Sequence, residues 1–173
     1  MDKIKVLENF IDDADCDLAV KLYEDTREKG LYRNTGDGRL LNVNPTFPDA
    51  VYLANKYVSK LETVYGTKFY AREVFMSLYQ TSSSIDPHFD YSHPDLKNSL
   101  GIMLYFNDDF EGGELYFPKY NYEYKPVRGS AIVFPCNDEE YLHGVRSITS
   151  GCRYTMPIEV TENERLKSLV TYT

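Results

Sequence analysis

From Lys68 to Val160 the chain runs as a series of short β-branched and aromatic segments, each ended by turn residues. KFYAREVFMSLYQ and SLGIMLYFN come first, and ELYFP, YNYEY, SAIVFP, LHGVRSI and CRYTMPIEV follow. The breaks fall at Asp108–Gly113, Pro126–Gly129, Pro135–Glu140 and Ser150–Gly151. Strands at such short, regular intervals predict a sandwich or barrel. The first third of the chain follows a different rule. Leu18, Ala19, Leu22, Tyr23 and Thr26 recur at helical spacing, with Asp15 as the expected cap and Gly30 as the stop. A second helix is expected after Pro48, with Val51, Ala54, Asn55, Val58, Leu61 and Tyr65 on one face and Gly66 at its end. The segment between them, Leu31–Pro45, is rich in Gly and Asn and lacks periodicity, so it reads as a long loop and a candidate flap over a site. The fold class is α+β, with the helices covering one sheet face of an all-β half.

Composition narrows the function classes. Apolar residues at 42% and charged residues at 27% exclude a disordered chain, a collagen-like fibre and a coiled coil. No stretch approaches the roughly 20 apolar residues of a membrane span, and MDKIKVLENF carries no secretory pattern. Cys16, Cys136 and Cys152 are odd in number and widely spaced, which predicts free thiols and a cytoplasmic setting. A net charge of −8 makes nucleic acid an unfavoured partner. The 16 tyrosines suit half-buried strands and wet cavity walls alike.

The chemistry concentrates in IDPHFDYSHPD. His88 and Asp90 stand two residues apart, so in an extended chain they point to the same side and can share one ion. Pro87 denies this segment a helix. His143, in EYLHGVRS, can supply a third ligand from a later strand. Two imidazoles and one carboxylate on one face of a metal suit a non-haem ferrous oxygenase. Ten residues after His143 stands Arg153, a permanent cation able to grip a carboxylate through two parallel hydrogen bonds. The third histidine, His93, lies in a Ser-His-Pro loop and is expected to be exposed.

YQTSSSIDPHFDYS, SLGIMLYFNDDFEGGELYFP, KPVRGSAIVFP and LHGVRSITSGCRYT, in that order, resemble the Fe(II)/2-oxoglutarate-dependent oxygenases, and among them the prolyl 4-hydroxylase-like branch. The resemblance covers about residues 74–158. It implies a double-stranded β-helix (jelly-roll) core over about residues 67–160, helical support over about 1–66, and one oxygenase domain over residues 1–173. It implies that His88, Asp90 and His143 hold Fe(II) and that Arg153 pairs with the distal carboxylate of 2-oxoglutarate. It further implies that Tyr105 supports that carboxylate, that Tyr79 lies beside the co-substrate, and that Thr155 adds a hydroxyl from the Arg153 side of its strand. O₂ is the second co-substrate, and ascorbate an optional reductant. The Gly112–Gly113–Glu114 run matches a turn expected to form a tight hairpin. Many members carry a tryptophan shortly after the arginine, where this chain has Ile158 and Glu159. The acidic ligand Asp90 favours hydroxylation over halogenation. The implied substrate is a prolyl residue in a peptide or protein. The alternatives are a free amino acid with the same chemistry, or a non-catalytic cupin-like metal-binding jelly roll.

Overall fold

The computed structural model describes residues 3–90, 94–96 and 98–168. His93 lies outside the described residues. The elements run β1 (Lys5–Leu7), α1 (Asp13–Glu28), β2 (Arg33–Asn34), β3 (Leu40–Val43), α2 (Pro48–Tyr65), β4 (Tyr70–Tyr79) and β5 (Ile85–His88). They continue with β6 (Leu100–Tyr105), β7 (Glu111–Gly112), β8 (Leu115–Phe117), β9 (Tyr122–Tyr124), β10 (Ala131–Pro135), β11 (His143–Val145), β12 (Ile148–Ser150) and β13 (Arg153–Thr161). A seven-stranded antiparallel sheet has the order β1-β10-β6-β13-β4-β3-β2, and a four-stranded sheet the order β5-β11-β8-β9. A short β12-β7 pair adds to these two sheets.

Alternation along the central strands builds two cores. In β4, Val74, Met76 and Leu78 face the helices, while Phe75, Ser77 and Tyr79 face the interior of the jelly roll. The helices cover the large sheet through Cys16, Ala19, Leu22 and Tyr23 of α1 and Leu53, Ala54, Tyr57 and Leu61 of α2. The second core joins the two larger sheets through Met103, Tyr105, Ile132 and Phe134 on one side and Leu115, Phe117 and Val145 on the other. Pro48 opens α2 and Gly66 closes it in the left-handed region at φ 68°, as the sequence predicts.

Three local expectations are corrected. Helix α1 begins at Asp13 with Asp12 as its cap, not at Asp15. Asp15 is buried because α2 claims its carboxylate: Tyr57 donates to it at 2.6 Å and Lys56 at 2.7 Å. Leu31–Pro45 is not an irregular loop. It holds the β2–β3 hairpin, whose turn is tied by Asn34 Oδ1 accepting from Gly36 N and Asp37 accepting from Arg39 N. Strand β3 then pairs with β4, Leu41 opposite Ser77 and Val43 opposite Phe75. Its order comes from that long-range pairing, which a local pattern does not display. Gly112 and Gly113 do not close a tight hairpin, because β7 pairs with β12 while β8 pairs with β11 and β9. They let the chain step from one sheet to the other, at φ 77° and 70°.

Candidate functional site

Antiparallel pairing of β11 with β5 places His143 directly across from His88. Asp90 follows β5, and its backbone N–H donates to the Cys136 carbonyl at 2.9 Å, which fixes the chain just beyond the strand. One ligand atom from each of His88, Asp90 and His143 lies within 4.8 Å of the others. Asp90 Oδ1 is 3.4 Å from His88 Nε2 and 3.8 Å from His143 Nε2. The other ring nitrogens are already engaged: Nδ1 of His88 is 2.9 Å from the Asp86 carbonyl, and Nδ1 of His143 is 3.1 Å from the Tyr141 carbonyl. A carbonyl can only accept, so each Nδ1 carries the proton and each Nε2 lone pair points toward Asp90. That is the tautomer a metal needs.

Without a metal, Asp90 and His88 favour each other's charged forms, so a bound cation would displace the proton at His88 Nε2. Burial pushes His143 down to about 4, leaving it neutral near pH 7. For Asp90, burial raises the pKa, but the His88 hydrogen bond and the charges of both histidines outweigh it and the net shift is downward. His88 is pulled down by burial, yet Asp90 and the Asp86 carbonyl outweigh that and raise it. The group therefore combines one anion with two imidazoles whose free nitrogens converge, a donor set that fits a divalent first-row metal.

Arg153 opens β13, pairs across the ladder with Tyr79, and is 0% exposed. None of its three guanidinium nitrogens has a hydrogen-bond partner, and neither does the buried hydroxyl of Tyr105. The guanidinium carbon lies 4.5 Å from the Tyr79 ring centroid and 5.1 Å from that of Tyr105. Two aromatic faces offset part of the cost of burying the cation, but they leave every N–H unmatched. Burial, partly opposed by Arg153, raises the Tyr105 pKa, so its phenol stays protonated and can donate. A buried fork of donors beside a phenol fits a carboxylate.

A cavity of about 550 Å³ joins the parts. His88, Asp90, His143, Tyr79 and Ser77 line it, while Arg153, Tyr105 and Thr155 do not. Tyr79 touches both zones, since its ring contacts Arg153. Thr155 shares the interior face of β13, but its hydroxyl donates to the Leu104 carbonyl at 2.8 Å. The sequence reading missed several wall residues. Leu41, Val43 and Arg39 come from the β2–β3 hairpin. Glu159, only 4% exposed, accepts from Asn137 at 2.7 Å and lies 3.0 Å from Arg72 Nε. Ser77, two residues before Tyr79 on the same strand face, was reachable through the period of two.

Fold and site together describe a jelly-roll protein whose His88, Asp90 and His143 donor set fits a divalent metal and whose buried Arg153 and Tyr105 donors fit a carboxylate. Comparison with known proteins gives the particular lineage. Residues 74–158 match the profile of the 2OG-Fe(II) oxygenase superfamily, and the chain belongs to that superfamily. It is 23% identical over 191 residues to the protein named "Probable prolyl 4-hydroxylase 7" of Arabidopsis thaliana, covering 88% of this chain and 60% of the relative. The chain thus spans about three-fifths of the length of that curated relative. A viral collagen prolyl hydroxylase of Paramecium Bursaria Chlorella virus-1 superposes with a TM-score of 0.67 at 19% identity, over 91% of this chain and 94% of the other. A Trichoplax adhaerens prolyl hydroxylase, solved with a hypoxia inducible factor peptide, superposes with a TM-score of 0.72 at 14% identity, over 95% and 86%. These likenesses establish the jelly-roll fold. Among the described residues no helix is long and apolar enough to cross a membrane, and the three cysteines are free thiols.

Proposed function

We propose that the chain is one oxygenase domain, an Fe(II)- and 2-oxoglutarate-dependent dioxygenase that hydroxylates an unactivated C–H bond of a prolyl residue in a peptide or protein. The observation that carries this is the fully buried, unpartnered guanidinium of Arg153 in the same jelly-roll interior as the His88, Asp90 and His143 ligand atoms. A structural or cupin-like jelly roll has no use for such a cation, since an unpaired buried charge costs several kcal/mol.

In this reading His88 and His143 bind the metal through Nε2 and Asp90 through its carboxylate. Arg153 and Tyr105 donate to the distal carboxylate of 2-oxoglutarate, and Tyr79 flanks the co-substrate. When bound, Fe(II) with 2-oxoglutarate and O₂ supplies the oxidising power for C–H hydroxylation, with succinate and CO₂ as co-products. The protein supplies orientation: carbonyls of Asp86 and Tyr141 hold the imidazoles, and the apolar wall of Phe134, Leu115 and Val145 excludes water. The prolyl assignment is supported by the named relatives and by a wide cavity bordered by the β2–β3 hairpin. Free thiols support a cytoplasmic setting. The test is a succinate-release screen over proline-containing peptides and free amino acids, with mass spectrometry for a gain of one oxygen. Turnover with a peptide proline is expected. Oxidation of free amino acids alone would replace the substrate class, and no 2-oxoglutarate consumption with any of them would count against the activity.

A further inference from the structure

We infer that Ser77 is a further co-substrate-binding residue, donating its hydroxyl to the distal carboxylate that Arg153 and Tyr105 also grip. This rests on the oxygenase reading above and deepens the same site. In the large sheet, Thr155 of β13 lies between Ser77 of β4 and Tyr105 of β6 on one rung of the ladder. Side chains on one rung of adjacent strands stand on the same face, so three hydroxyl-bearing residues lie side by side toward the interior. The next rung on the same face pairs Arg153 with Tyr79.

Only one of the three hydroxyls has a partner. Thr155 Oγ1 donates to the Leu104 carbonyl at 2.8 Å, so its hydrogen is held within the sheet. Ser77 Oγ and the Tyr105 hydroxyl are buried without a hydrogen-bond partner, as are all three Arg153 nitrogens. Ser77 is 1% exposed yet borders the cavity, so its hydroxyl is withdrawn from bulk water beside the space a ligand would fill. A strand serine has no local backbone acceptor of the kind a helix offers, and a buried hydroxyl left unmatched is disfavoured. The unmatched hydrogens of Ser77, Tyr105 and Arg153 all lie on two successive rungs of the interior face. A carboxylate offers about four lone-pair sites and accepts from several donors at once. The role that resemblance lends to Thr155 therefore passes to its cross-strand neighbour.

The test measures binding without turnover, by anaerobic titration of the Fe(II) protein and following the visible charge-transfer band of the bound 2-oxo acid. Two probes are used: 2-oxoglutarate, and 2-oxobutyrate, which keeps the metal-chelating end and lacks the distal carboxylate. Ser77→Ala should weaken 2-oxoglutarate binding by about tenfold or more, the scale of one hydrogen bond to a charged acceptor. It should leave 2-oxobutyrate binding within about twofold of wild type, and Fe(II) affinity unchanged. Unchanged 2-oxoglutarate binding would overturn the assignment, and so would equal losses for both acids. Loss of Fe(II) affinity in the variant would mark Ser77 as structural and also overturn it. If the wild-type protein gives no band with 2-oxoglutarate, the oxygenase reading fails and this inference with it.

Discussion

Arg153 should be a liability to the free protein and an asset to the loaded one, and the two effects can be separated. The guanidinium is 0% exposed and lacks any hydrogen bond. After relaxation, burying a lone cation costs several kcal/mol, on the order of 4–6. The rings of Tyr79 and Tyr105, 4.5 and 5.1 Å from the guanidinium carbon, return about 2 kcal/mol each when desolvated. That leaves a net penalty of about 0–2 kcal/mol in the unliganded state. Arg153→Met keeps most of the volume and removes the charge. For a chain of 173 residues, each kcal/mol moves the melting temperature by about 2–4 °C. The variant should therefore melt no lower than wild type without ligand, and up to about 8 °C above it. With Fe(II) present under anaerobic conditions, 2-oxoglutarate at about 100 times its Kd should stabilise wild type by about 2.7 kcal/mol, or about 5–10 °C. The variant should show almost none of that shift. Differential scanning fluorimetry with and without 2-oxoglutarate reads both signs in one experiment. A variant that melts below wild type in the free state, or keeps the full ligand shift, would refute the argument that this cation waits for a carboxylate.

The metal site is tested by His143→Ala, which removes one converging Nε2 and should abolish both Fe(II) retention in equilibrium dialysis and the charge-transfer band; undiminished retention would remove His143 from the ligand set. Gly113→Ala puts a Cβ 2.5 Å from Ile148 Cδ1 and 3.3 Å from Arg153 Cδ at φ 70°. Left-handed strain and overpacking together should cost about 2–4 kcal/mol, seen as a lower urea midpoint, and an unmoved midpoint would show the crossover to be adaptable.

What the sequence made legible was whatever fixed chemistry demands of neighbouring residues. His88 and Asp90 obey the two-residue period of an extended chain, and Pro87 rules out the helical alternative, so their common side follows from local geometry alone. Helix α2 was legible for a similar reason, because proline and glycine mark its ends. The junction of His143 with that pair depends on β11 pairing with β5 across the fold, and no local pattern records a register of that kind. The same holds for the carbonyls of Asp86 and Tyr141, which set the tautomers through backbone atoms that any residue could supply. Asp15 shows the reverse error. A carboxylate near a helix start resembles a cap in one dimension, yet Lys56 and Tyr57 recruit it from another helix.

The division between motif and wall has a physical source. A metal accepts few ligand geometries and a carboxylate few donor arrangements, so residues serving them carry restrictive side chains that stand out in a sequence. The walls that meet a substrate are built from whatever the sheet edge brings. Here β3 docks on the edge of β4 and contributes Leu41 and Val43, while Arg39 from the preceding turn reaches the same cavity. Beside them in the same sheet Glu159 and Glu73 are neighbours across the β13–β4 ladder. Arg39 is tied to Asp37 of its own turn and stands over the Tyr79 ring, while Glu159 is tied to Arg72 of β4 and to Asn137 after β10. The hairpin and not the metal mouth is therefore where substrate choice should be tuned, and there the sequence showed only glycines and asparagines of a turn.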